Sequence, residues 1–169
     1  MKYPAALIVF VSSLYIGISK AREEKRKVLM LRELCELLEM LKCGICSEKC
    51  SICSIFGSEV LNTFRAISGF ITAMRSELLH IGEKRLCTIW AECVNKSLHD
   101  LPDNALAALL SLGNSLGRYD IELQKSAIER CEAVIQNELS AADKALVNNE
   151  KLYIGLGGGA GACLALMLI

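Results

Sequence analysis

The sequence predicts an all-α protein, a bundle of about five to six helices carried between two apolar end segments. Three observations lead there. Hydrophobic residues make up 53% of the 169 residues, aromatics only 5%, and there are two prolines; an aliphatic-rich, proline-poor chain favours helices over sheets. Apolar residues recur at steps of three and four through the middle of the chain. The stretches 3–18 and 152–169 carry no charge.

The first stretch would span about 24 Å as a helix, slightly short of a bilayer core of about 30 Å. Lys20 and Arg22 extend it by snorkelling. A cleavable signal peptide is the rival, since Lys2 precedes the run and Ser19-Lys20-Ala21 loosely resembles a cleavage site. The cluster Lys20, Arg22, Lys25, Arg26 and Lys27 argues against it, because such charge resists translocation and stays on the cytoplasmic side. The C-terminal stretch is preceded by Lys144 and Lys151. Both basic flanks therefore face one compartment. The expected layout is a transmembrane helix over residues 1–19, a cytoplasmic bundle over 20–151 and a transmembrane helix over 152–169.

Between the ends the pattern is helical throughout. Leu31, Leu34, Leu38 and Leu41 mark a helix from Ala21 to about Leu41. Val60, Phe64, Ile67, Ile71, Met74 and Leu78 predict one helix over 59–79, stopped by Gly82. Leu86, Trp90 and Cys93 mark a shorter helix to about Ser97. Leu101-Pro102-Asp103 opens a fourth, lined by Leu106, Leu109, Leu110 and Leu116 and closed by Gly117 in the left-handed conformation. Asp120 caps the last helix, with Glu122 favourably placed in its first turn. Its stripe is Ile121, Gln124, Ile128, Cys131, Ile135, Ala142 and Leu146, and nothing marks a break before the C-terminal segment.

Composition excludes some functions. Lys plus Arg and Asp plus Glu are both 19, so no overall charge points to nucleic acid. The chain carries no nucleophile, kinase or metalloprotease signature, and His80 and His99 stand apart from any ligand pattern. A non-enzymatic protein without cofactor is expected. The glycines Gly155, Gly157, Gly158, Gly159 and Gly161 do not form a phosphate loop, because no Lys-Ser/Thr follows. Gly155/Gly159 and Gly157/Gly161 are small-xxx-small pairs suited to close packing of membrane helices.

Nine cysteines raise a disulfide framework, but the number is odd and the expected topology is reducing for most of them. Cys43, Cys46, Cys50 and Cys53 are spaced three, four and three apart. Two Cys-x-x-Cys pairs suggest zinc. On a continuous helix the outer sulfurs would lie about 15 Å apart, too far for one metal. Metal binding would need the segment to unwind, which Gly44 and Ser47 permit. Small buried packing residues are the expected role; a metal- or thiol-dependent membrane protein is the alternative function.

The segment Leu112-Gly113-Asn114-Ser115-Leu116-Gly117-Arg118-Tyr119-Asp120-Ile121-Glu122-Leu123-Gln124 resembles the central motif of the stage III sporulation protein AB family. Trp90 resembles that family's isolated tryptophan, and Lys151-Leu152-Tyr153 with Leu156 and Gly157 is similar to its C-terminal motif. The resemblance implies a component of a secretion-like channel complex in the mother-cell membrane around the forespore. It implies a cytoplasmic domain like that of the type II secretion inner-membrane platform protein. The implied partners are a secretion-type ATPase similar to stage III sporulation protein AA, other membrane proteins of the complex and the lipid bilayer. Residues 43–53 depart from the family, whose members carry a short Tyr- and Pro-containing turn there. Within the motif, two readings stand. Gly113, Gly117, Asp120 and Gln124 either build a helix–turn–helix corner, with Gln124 a buried amide in an apolar seam, or form a docking edge.

Overall fold

The computed structural model describes the backbone of residues 3–80, 82–117 and 120–168, and the side chains of 19–20, 22–80, 82–117 and 120–147. Among these there are six α-helices, one 3-10 helix and no strand. The helices are α1 (Tyr3–Cys46), α2 (Ile52–Gly57), α3 (Ser68–Leu78), α4 (Leu86–Ser97), α5 (Asp103–Gly113) and α6 (Ile121–Leu168), with the 3-10 helix Glu59–Thr63 between α2 and α3. The chain divides into two units: Leu29–Ser140, and Met1–Val28 with Ala141–Ile169.

In the second of these units, Lys27 pairs with Glu23 and Glu24 one turn earlier along α1. The expected membrane segments 3–18 and 152–169 lie outside the residues whose side chains are described. No helix among the described residues is long and apolar enough to cross a membrane.

The unit Leu29–Ser140 is an all-α bundle. Leu31, Leu34, Leu38 and Leu41 of α1 are all at most 1% exposed, as the spacing predicts. α1 outruns its expected end near Leu41 and stops at Cys46. There Lys49 takes a left-handed φ of 52°, and Cys50 N–H reaches back to Gly44 O at 2.8 Å. Ser51 then caps α2 by accepting from Ser54 N–H. Gly44 admits α2: a Cβ there would lie 2.7 Å from Ile55 Cδ1.

The single helix expected over 59–79 is broken, and its register fails at Val60, which is 56% exposed. The break has a cause outside the segment. Glu33 of α1 is 8% exposed, and its carboxylate accepts from the N–H groups of Arg65 (3.0 Å), Ala66 (2.8 Å) and Ile67 (3.0 Å). These are donors at the start of α3, which has no side-chain cap of its own. From Phe64 to Leu78 the predicted apolar positions are buried. Arg75 of α3 ties back the preceding segment, donating to Phe56 O, Ser58 O and Asn62 Oδ1 at 2.7–2.8 Å.

α4 has its predicted limits. α5 begins at Asp103 but ends at Gly113, four residues before the expected stop. Asn114, Ser115 and Leu116 turn back onto the carbonyls of Ser111 and Leu112, and Gly117 ends the turn at φ 77°. α6 continues unbroken to Leu168. Gln124, Ile128, Cys131 and Ile135 are buried as predicted, whereas Ile121 is 37% exposed because it stands at the outer edge of the first turn. Lys42–Glu132 joins α1 to α6 and Asn104–Glu138 joins α5 to α6, both at 2.8 Å.

Candidate functional site

The residues of the central motif meet at the corner between α5 and α6. Trp90 of α4 is fully buried, and its Nε1–H donates to Leu109 O at 2.7 Å. Its ring meets Phe70 and Phe56 edge-on, with centroids 5.4 and 6.4 Å away; this geometry places ring edges against π faces. Gly113 passes directly over the indole, and a Cβ there would sit 2.4 Å from Trp90 Cδ1. Leu112 and Leu116 are buried beside it. Trp90, Leu112, Gly113 and Leu116 are therefore core residues, and Trp90 with Gly113 is one interlocking pair separated by a turn and a helix.

The second half of the motif builds the corner. Asp120 Oδ1 accepts from Leu123 N–H at 3.1 Å, an N-cap as its residue type predicts. Gln124 is 5% exposed, and its Oε1 accepts from Gly117 N–H at 3.2 Å. The amide thus ties the first turn of α6 to the left-handed residue that ends the preceding turn. Gly117 also needs its missing side chain, because a Cβ would meet Leu86 Cδ2 at 2.9 Å. Burial and this bond are what the structural reading of Gln124 expects. Gln124→Ala is expected to lower stability by about 1–3 kcal/mol by leaving the Gly117 donor unmatched. Gln124→Leu is expected to lose less, because it restores apolar volume. Equal melting temperatures for wild type and both variants would refute this role.

What the corner leaves outside is apolar. A groove of ≈ 360 Å³ lies among Ile45, Ile52, Leu86, Gly117, Ile121 and Gln124, with Lys49, Cys50 and Cys53 on its wall. Leu123, on the same first turn of α6, is 53% exposed. This groove joins the end of α1 to the motif corner, and no spacing in the sequence announces it. Tyr153, Leu156 and Gly157, and the pairs drawn from Gly155, Gly157, Gly159 and Gly161, lie outside the residues whose side chains are described.

The packing role expected for the cysteine cluster does not hold. Cys43 and Cys53 are exposed, and Cys46 and Cys50 half-buried. The segment is two helix ends joined by a turn, so a three-four-three step does not place its sulfurs on one face. Ile45, Ile52, Ile55 and Phe56 fill the core there instead. Among the described residues, Cys93 and Cys131 are the buried cysteines; desolvation, with lesser contributions from Cys35 and Glu132, pushes the Cys131 thiol up to about 12. Among the described residues, no three His, Cys, Asp or Glu gather where they would hold a metal ion.

The roles of Glu33 and Arg75 are not written in local spacing. Glu33 does break the stripe as a carboxylate flanked by Leu31 and Leu34, but its partners are more than thirty residues away.

No characterised protein and no solved structure matches the chain. The family model for stage III sporulation protein AB matches residues 2–169. The chain belongs to the stage III sporulation protein AB family, and its role is tied to sporulation.

Proposed function

We propose that this protein is a non-catalytic platform component of a secretion-like channel complex between mother cell and forespore. Helices 1–19 and 152–169 hold it in the mother-cell membrane, and the bundle between them lies in the cytoplasm, where it docks a secretion-type ATPase similar to stage III sporulation protein AA. The observation that carries this reading is the family match over residues 2–169, which takes in both uncharged ends. The basic residues beside those ends support the orientation. The buried motif supports a scaffold: its residues are spent on holding α4, α5 and α6 together. The apolar groove is the part of the corner open to other proteins.

Affinity capture of the full chain from sporulating cells tests the partner. Recovery of the secretion-type ATPase together with membrane components of the complex is expected. Recovery of those membrane components without the ATPase, under conditions that preserve a known ATPase–membrane complex, would reject the docking role. Topology is tested separately. Single cysteines near residues 25 and 144, in a chain stripped of its native cysteines, are expected to escape a membrane-impermeant thiol reagent in intact cells. Labelling at either position would place the bundle on the other side.

A further inference from the structure

Four cysteines that do not fill the core remain to be explained, and their placement is uneven. Cys43 and Cys50 open into one groove of ≈ 330 Å³ shared with Met40, Gly44, Glu48 and Ile55. Cys46 lines neither this groove nor the one at the α5–α6 corner. Cys53 lines only the corner groove, whereas Cys50 stands between the two and lines both.

We propose that Cys43 and Cys50 are a site of reversible thiol oxidation, forming a disulfide across the turn from α1 to α2. The backbone brings the two segments together. Cys50 N–H is bonded to Gly44 O at 2.8 Å. Cys50 Cβ lies 4.0 Å from where a Cβ on Gly44 would stand, so Cys50 packs against the last turns of α1, where the preceding residue, Cys43, lines the same groove. Residues 47–49 and 51 are exposed, so the turn can adjust without disturbing the core. The competing Cys43/Cys46 pair lies wholly within the last turns of α1, and a bridge there would distort regular helix.

The oxidant is a low-molecular-weight disulfide. The exposed Cys43, as thiolate, attacks one of its sulfurs, forms a mixed disulfide and releases one small thiolate. Cys50, deprotonated, then attacks the Cys43 sulfur and releases the second. The protein loses two protons and two electrons, and the small disulfide gains them to become two thiols. Partial desolvation and Glu48, whose Oε2 is 3.6 Å from Cys50 Sγ, raise the Cys50 thiol above its ordinary value. Attack by Cys50 therefore accelerates as pH rises. Because Cys50 also forms part of the corner groove, closing the bridge resets one wall of that groove. The proposal does not depend on the platform reading.

The test uses the full chain in detergent micelles, reduced and then equilibrated with a graded series of oxidised and reduced glutathione. Acid quench, alkylation and peptide mass analysis read out the bridges. The expected product has lost two hydrogens and carries a Cys43–Cys50 link. That link disappears in Cys43→Ser and in Cys50→Ser but persists in Cys46→Ser and Cys53→Ser. Circular dichroism melting of each reduced variant checks that the fold is retained, and Cys43→Ala and Cys50→Ala serve where a serine variant melts early. A Cys50–Cys53 or Cys46-containing bridge formed first, or glutathione adducts with no internal bridge at any ratio, would overturn the proposal.

Discussion

Glu33→Ala is expected to lower the unfolding free energy of the bundle by about 3–5 kcal/mol, the upper range for a single side chain. Its carboxylate satisfies the N–H groups of Arg65, Ala66 and Ile67 at once, and those of Arg65 and Ala66 are part-buried and that of Ile67 buried. A bond from a backbone N–H to a charged acceptor contributes about 1.5–3 kcal/mol, and a buried donor left bare loses more than an exposed one. Simple addition of three such bonds gives about 4.5–9 kcal/mol; the expected loss lies near or below the low end of that range because the bonds share one acceptor group and some donors regain water. Glu33→Gln separates charge from shape. Its single carbonyl oxygen keeps part of the cap, but its NH₂ faces donors, so the variant is expected to fall between wild type and Glu33→Ala. Urea unfolding of the three proteins checks the order. A loss below about 1 kcal/mol in Glu33→Ala would mean that α3 starts without help from α1.

Gly113→Ala is expected to lower stability by about 2–3 kcal/mol, far more than one methyl group on a helix ordinarily does. The added carbon would stand 2.4 Å from Trp90 Cδ1 and 3.0 Å from Cγ. The indole has no room to retreat, since it is fully buried against Phe56 and Phe70. Moving it would also stretch its bond to Leu109 O. Trp90→Phe alone loses that bond and leaves a void. In the double variant the smaller ring makes space for the methyl, so the combined loss is expected to be smaller than the sum of the two single losses by more than about 0.5 kcal/mol. Trp90 is the chain's one tryptophan. Its fluorescence therefore reports the displacement directly: Gly113→Ala should shift the emission to the red as the ring gains access to water. Unchanged emission and additive losses would show that the corner yields elsewhere.

Both predictions concern residues whose partners are distant in sequence, and that is where sequence reading lost its grip. The leucines of α1 and the positions Phe64, Ile67, Ile71, Met74 and Leu78 were legible because helical period alone selects the buried face. Val60 belongs to the same period yet is exposed, because it sits on the separate 3-10 helix before the point where Glu33 starts α3. At the corner, Asp120 and Gly117 were legible because cap and left-handed turn are local requirements. Gln124 was marked by its polarity within an apolar stripe, while its partner, Gly117 N–H, waited on the turn geometry. The cysteine segment misled because regular spacing was read as one continuous helix. α1 ends at Cys46 and Lys49 turns left-handed, leaving Cys43 and Cys53 exposed on either side of the turn.

By itself the sequence determined the helical class, many of the core-facing positions, the Asp120 cap and the family, since each depends on residue type and spacing along the chain. The tertiary structure alone decided that Gly113 exists for Trp90, that Glu33 starts α3, that Arg75 holds the turn before it, and that a groove opens beside Gly117. Each of these joins elements far apart in the chain. A local period records which face of a helix is buried; it carries no record of which neighbour meets that face.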